Sequence, residues 1–418
     1  MTERVDEPHD VEPMEVPGPP PIATRQHLAG LEGPRGFACL CIILVHVAVH
    51  FAPGVLAVTR VDFFGQSLTF FFALSGFLLY MPYVQRLVDD RGMPKTSTYL
   101  RRRVLRVFPA YLVIFLITNF VLRAAYVENP FEAGWSNNQV GVGMTTDPVK
   151  LLAQLTLTQS LFPSTLQTGI NPTWSLTTEW GFYLILPVIG GVLFSLRGRM
   201  RRPLHALTWP PLLLLVTGVA TNTMVGMLQA KYYSHDILEG YWGPNWTAVL
   251  SRSFFSLADA FAFGMFAAVI YVALTKGAFK NVSTRRVQWI AVAVGAVGLG
   301  GSLALFVLSP RYMAAFFGLA TAAFILLVVA PLARNEHSAV ATVTDWRPIR
   351  YVGLISLSMY VWHYPVLLVV ERLHLPLPDT PVGLLLSFLL VAALSIVVSS
   401  ITYRWVELPA MKYRGRGS

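Results

Sequence analysis

Apolar residues gather along this chain in ten runs, at about 36–53, 62–82, 104–125, 175–196, 207–230, 251–274, 287–308, 312–333, 351–370 and 382–403. Each is long enough to cross a hydrocarbon core about 30 Å thick as an α-helix. The pattern predicts an all-α integral membrane protein of about ten transmembrane helices, and an even number puts both termini on one side. The longest connection, about 126–174, holds a further apolar segment, Val149–Phe162. It is too short to span and is expected at the membrane interface or dipping into it. No spacing repeats from run to run, which weighs against the inverted repeats of many transporters.

The charges give the orientation. With the N-terminus inside, the inner segments collect all of the 32 Lys and Arg except Arg60, Arg123, Lys150, Lys231, Arg252, Arg311 and Arg372. Such an excess marks the cytoplasmic side, so both termini are expected in the cytoplasm. The formal net charge of +10 then reports topology and calls for no nucleic acid. Composition agrees: 54% hydrophobic, 13% charged and a mean hydropathy of +0.55 lie far from the globular balance. The two cysteines, Cys39 and Cys41, stand two helix positions apart and point in different directions. That excludes a disulfide framework, and no metal-ligand spacing exists either.

Residues 1–26 are different in kind. Asp6, Glu7, Asp10, Glu12, Glu15 and the prolines between Pro17 and Pro21 make them too polar to pack. They read as a disordered acidic cytoplasmic tail, a solvated leader or a partner-binding segment, ahead of a membrane domain at 27–418. With no apolar core after a basic start, they are not a signal peptide.

Candidate chemistry begins in the first run, Leu31–Phe51. Pro34 suits the first turn of a helix, where a missing N–H is harmless. Arg35 and His46 are eleven positions apart, about 20° past three full turns, so they share a face and stand roughly 16 Å apart along the axis. With Arg35 at the water boundary, His46 lies near the middle of the hydrocarbon, where an ionisable group is costly and marks function. Taken singly, such a His serves equally as a donor to a neighbouring helix, and such an Arg as an interfacial anchor. Their shared face favours the functional reading. Cys39, between them, reads as a small apolar filler.

Later runs add to this. Phe71-Phe72-Ala73-Leu74-Ser75-Gly76 offers a small surface for close helix approach. Arg101, Arg102, Arg103 and Arg106 crowd the cytosolic start of the third run. Each alone is a positive-inside anchor; together they make a phosphate cradle, because guanidinium pairs with phosphate oxygens bidentately. The fourth run is entered from outside through Trp174-Ser175-Leu176-Thr177-Thr178-Glu179. Glu179 gains from the helix dipole and is the acidic residue best placed to meet a group arriving from outside. Asp62 and Asp259 compete from ordinary loop or helix-end settings, and Trp174, Trp180 and Tyr183 fit an aromatic belt. In His363-Tyr364-Pro365, the proline is expected to bend the helix and His363 to satisfy the carbonyl it frees. Tyr403-Arg404-Trp405-Val406-Glu407-Leu408-Pro409 is expected to end the last helix at the cytosolic face, with Glu407 pairing with an inner arginine.

Arg35-x10-His46, Phe71-Phe72-x-x-Ser75-Gly76, Arg101–Arg106, Trp174-Ser175-Leu176-x-x-Glu179, His363-x-Pro365 and Tyr403-Arg404-x-x-Glu407-x-Pro409 together resemble the acyltransferase-3 family. Its members are multi-spanning membrane enzymes that acylate sugars and glycolipids. The resemblance runs from about Leu31 to Met411, in the family's order. Glu32 and Pro34 stand where the family usually has Asp and Leu, which keeps the charge and the helix start. The family implies acyl-CoA, most often acetyl-CoA, as cosubstrate, with no permanently bound cofactor and no metal. Its phosphates would lie near Arg101, Arg102, Arg103, Arg106 and Arg35, with Ser75 also on the acyl-CoA side. His46 would be the general base for an acceptor hydroxyl. A ping-pong route through an acyl-histidine stays open. Glu179 would hold the acceptor or orient the imidazole, and Trp174, Ser175 and His363 would line the acceptor site. The partners implied are acyl-CoA, a carbohydrate or glycolipid acceptor and the lipid bilayer of a bacterial cytoplasmic membrane.

Some relatives in that family carry a further catalytic domain after the last span. With Ser418 the last residue here, transfer is expected to be completed within the membrane domain. Arg-, Ala- and Val-rich usage suggests a high-GC bacterium, in which a trehalose mycolate is a candidate acceptor. The competing reading is a proton-coupled transporter or flippase with His46 and Glu179 as its relay.

Overall fold

The apolar runs fold into helices joined mostly by short turns. A computed structural model describes residues 28–132, 139–200 and 203–413, so the acidic leader at 1–26 lies outside the described residues. The helices are α1 (Glu32–Phe51), α2 (Ser67–Val88), α3 (Thr96–Leu116), α4 (Trp174–Ser195) and α5 (Trp209–Tyr232). They continue with α6 (Ala258–Thr275), α7 (Thr284–Leu308), α8 (Met313–Ala333), α9 (Arg347–Leu354), α10 (Ser356–Glu371) and α11 (Pro381–Thr402). Among the described residues nine helices are long and apolar enough to cross a membrane, and α9 with α10 makes a tenth if that bent pair is one span. The strands among the described residues form a two-residue ribbon, Ala125–Tyr126 against Val142–Gly143.

The ninth apolar run is broken, and not where its proline suggested. α9 and α10 meet at 79° around Ile355, while Pro365 lies inside a continuous α10. Packing on α1 explains the place. A Cβ on Gly353 would come within 1.9 Å of the Glu32 carbonyl oxygen, and one on Gly33 within 1.7 Å of the Thr344 carbonyl oxygen. α9 is thereby held against the start of α1. Asp345 completes that contact by accepting the backbone N–H groups of Gly30 at 2.8 Å and Gly33 at 3.3 Å, the second being a donor that the first turn of a helix leaves unmet.

The last helix also runs past its expected end. After α11 the chain makes a wide π turn, Tyr403–Glu407, then a helical turn, Leu408–Lys412. The wide turn precedes Pro409, whose ring and missing N–H break an ordinary α ladder. It leaves the Glu407 side chain fully buried.

α2 and α6 cross closely, as the small surface at Ser75-Gly76 implied. A Cβ on Gly264 would stand 1.7 Å from the Ala73 carbonyl oxygen, and one on Gly76 2.2 Å from that of Phe261. Backbone cannot yield as a flexible side chain does, so Gly264→Ala is expected to cost about 1–3 kcal/mol. The check is a fall in the thermal unfolding midpoint in detergent; an unmoved midpoint would mean the helices part freely. The C-terminal ends of the same two helices are tied by Asp89, which pairs with Lys276 and, at 2.7 Å, with Arg91. The Lys276 ammonium bonded to it holds the Asp89 carboxyl below its usual 3.8. Such a group stabilises the fold above its unfolded value and loses that contribution as pH falls through its folded value. The gap in midpoint between the wild type and Asp89→Asn should therefore be constant at neutral pH and close below about pH 3.8.

In the long connection, Val149–Phe162 does not span. It forms the eight-residue helix Pro148–Leu155, capped by Asp147 on the Lys150 N–H at 2.8 Å, and then tight turns. Val149 and Leu152 stay exposed.

Candidate active site

A cavity of about 430 Å³ lies between α1, α2, α3, α4 and α10. At the end nearest the start of α1 its wall carries Arg35, Arg103 and Arg106; further in it carries Ser75 and Glu179, then Ser175 and Tyr360. Six residues singled out in the sequence thus share one cavity, although α1 and α4 lie far apart in the chain. Arg101 and Arg102 are on α3 but outside the lining, and Arg101 is exposed.

The three lining arginines are not equivalent. Arg35 pairs within its own helix with Glu32, at 3.0 and 3.3 Å to the two carboxylate oxygens. Arg106 pairs with Glu407, whose second oxygen accepts from Ser358 at 2.9 Å. Glu407 therefore meets one of the arginines of the Arg101–Arg106 cluster. Arg103 has its guanidinium 5.7 Å from the Tyr183 ring centre, and its Nε is buried with no hydrogen-bond partner. A buried donor without a partner is costly, and a guanidinium so placed is suited to an anion. Across the wall, the Ser75 hydroxyl donates to Glu179 at 2.8 Å, joining α2 to α4, and the hydroxyls of Ser175 and Tyr360 are 2.7 Å apart.

His46 is not in the cavity lining. Its Nδ1 lies 2.8 Å from Nε2 of His363, with the two rings coplanar to 1°. His363 is fully buried and lies outside the cavity lining, and its Nε2 meets His46. Nor does it satisfy a carbonyl freed by Pro365. Its Nδ1 lies near the Met359 and Tyr360 carbonyls without an aligned bond. His363, not Glu179, is the group bonded to the imidazole of His46. The pair reaches the cavity through Tyr360, whose ring is 5.7 Å from that of His363. Cys39 is buried and donates weakly to the Ser356 carbonyl at 3.8 Å, which suits a filler.

Trp174 lies outside the cavity, 5.6 Å from the Arg252 guanidinium, which also covers Trp242 at 4.1 Å. Asp62 is paired with Arg60 at 3.5 Å, and Asp259 is buried, accepting the Ala260 N–H at 2.8 Å. Among the described residues no three His, Cys, Asp or Glu side chains come together in a metal-binding group.

Sequence reasoning missed a second polar cluster beyond the imidazole pair. His50 meets Glu371 at 3.2 Å and Tyr364 at 3.1 Å. The signal was present: His50 is four residues after His46, and Glu371 seven after Tyr364, spacings that share a helix face.

The profile of a family described as "Acyltransferase domain" matches residues 28–404. The chain is 23% identical over 401 residues to the O-acetyltransferase OatA of Staphylococcus aureus (strain NCTC 8325 / PS 47), covering 93% of this chain and 58% of that protein. It is 20% identical over 400 residues to the peptidoglycan O-acetyltransferase OatA of Listeria monocytogenes, covering 93% and 56%. Over 176 residues it is 32% identical to the acyltransferase MdmB of Streptomyces mycarofaciens, 40% of each chain. The chain thus spans little more than half the length of the two O-acetyltransferases. No solved structure matches it.

Proposed function

The chain belongs to the acyltransferase-3 family, and from that premise we propose that it is a membrane O-acyltransferase. It moves an acyl group, acetyl in the first instance, from cytosolic acyl-CoA to a hydroxyl of a cell-envelope carbohydrate or glycolipid. The observation that carries this reading is the arrangement of the cavity: arginines at one end, and at the other Tyr360, beside which one imidazole is held by another. A trehalose mycolate is one acceptor to assay. The excess of Lys and Arg at the arginine end supports a cytoplasmic placement of that end and of both termini, in a bacterial cytoplasmic membrane.

Each residue then has a task. Arg103, with its unmet Nε, takes phosphate of the CoA; Arg35 and Arg106 add positive charge beside it. The nearby Met359 and Tyr360 carbonyls favour a proton on Nδ1 of His363, leaving its Nε2 to accept from Nδ1–H of His46. That leaves the lone pair on Nε2 of His46 for the acceptor hydroxyl. As His46 takes the hydroxyl proton, the oxygen attacks the thioester carbonyl, the C–S bond breaks and the proton passes to the departing CoA thiolate. Glu179, fixed by Ser75, holds hydroxyls of the acceptor.

The test is CoA thiol release from acetyl-CoA by purified protein in detergent, with and without an envelope glycolipid extract. Release that needs the extract supports the proposal. No release and no acetyl-CoA binding would overturn it in favour of a transporter. Arg103→Ala is expected to raise KM for acetyl-CoA about 10–100-fold, the loss of one charged hydrogen bond, with kcat nearly unchanged.

A further inference from the structure

Beyond the imidazole pair a chain of hydrogen bonds joins α1, α10 and the long connection between α3 and α4. Nδ1 of His50 lies 3.2 Å from Glu371 Oε1, and its Nε2 lies 3.1 Å from the Tyr364 hydroxyl. The other Glu371 oxygen accepts from Gln139 Nε2 at 2.7 Å, and Gln139 Oε1 accepts from Arg372 Nε at 2.8 Å. Arg372 is itself anchored on the carbonyl of Leu122 at 2.7 Å. Tyr126 brings its hydroxyl within 3.4 Å of that of Tyr364.

For a neutral His50 the directions of these bonds follow. A carboxylate only accepts, so His50 carries its proton on Nδ1, and in the neutral ring Nε2 must accept from the Tyr364 hydroxyl. Glu371 thus selects the tautomer of His50, as the acidic member of a hydrolytic triad does for its histidine. The hydroxyl so held fixes the ring of Tyr364. That ring meets His46 edge-on, at 87° with centres 5.3 Å apart, and His363 at 88° and 6.0 Å. Edge-to-face contact is a favourable and directional arrangement. One bond from His363 leaves His46 free to swing about that contact; a fixed wall does not.

We propose that Tyr364, His50 and Glu371 form a positioning triad that holds the imidazole of His46 in its working plane. The assignment of His46 as the base rests on the acyltransferase reading above; the positioning itself does not. A wall of this kind acts on the reacting group and not on the CoA-binding end, roughly 16 Å away along α1.

Two measurements on the full-length protein test it. In the acetyl-CoA assay, Glu371→Gln and Tyr364→Leu are expected to lower kcat about tenfold or more, with KM for acetyl-CoA and the thermal midpoint little changed. Tyr364→Phe, which keeps the ring, should lose less than Tyr364→Leu. Independently of turnover, nitrogen-15 NMR of histidine-labelled protein in nanodiscs should show His46 and His50 each as one Nδ1–H tautomer in the wild type. Tyr364→Leu should turn the His46 signals into an exchanging mixture, and Glu371→Gln those of His50. Unchanged His46 signals in Tyr364→Leu, or a KM that rises in step with the fall in kcat, would overturn the triad. A wild type that shows the single tautomers yet releases no CoA would sink the acyltransferase reading and leave the triad standing.

Discussion

His46→Ala is expected to lower acetyl transfer about 10²–10⁴-fold, the range a positioned general base contributes. An alcohol is a poor nucleophile at neutral pH, and with Nδ1 of His46 bonded to His363 its Nε2 is the nitrogen assigned to the hydroxyl. His363 spends its Nε2 on His46, and Glu179 takes the Ser75 hydroxyl. His363→Ala should therefore cost less, since it removes the support and leaves the base in place. Acetyl-CoA binding should survive in both variants, because the arginine end is roughly three turns away on α1. Steady-state thiol release with the glycolipid extract, alongside direct acetyl-CoA binding, separates these outcomes. Full transfer by His46→Ala would rule out a general-base role for this residue.

The largest effect on stability is expected from Glu407→Ala, about 3–5 kcal/mol. The Glu407 side chain is fully buried, with one oxygen on Arg106 and the other on the Ser358 hydroxyl. Removing it leaves an arginine that is only 18% exposed without a counter-charge, inside an apolar domain. The π turn at Tyr403–Glu407 carries that carboxylate inward, so the loss should also loosen the final helical turn, from which Met411 meets the same guanidinium at 3.1 Å. Replacing both partners, Arg106→Met with Glu407→Leu, should be less harmful than removing Glu407 alone, because no charge is then stranded. Thermal midpoints of the two single variants and the double variant in detergent make the check. Additive losses would mean that the two residues are not coupled.

Local pattern alone determined much of this protein. Ten apolar runs gave the helices, since twenty apolar residues can satisfy their backbone in a membrane in few other ways. Lys and Arg counts gave the expected orientation. Residue type and spacing picked out Arg35, Arg103, Arg106 and Glu179, and the family resemblance added Ser75 and Ser175; the fold gathers all six around one cavity. The tertiary structure decided what touches what. The break at Ile355 follows from Gly353 lying on the Glu32 carbonyl, and Pro365, the local signal for a bend, sits in an unbroken helix. The partner of His46 is His363, 317 residues away, and that of His50 is Glu371, 321 away. A helical period relates residues a few turns apart; which face of a second helix they meet depends on packing between helices, and no local spacing encodes it.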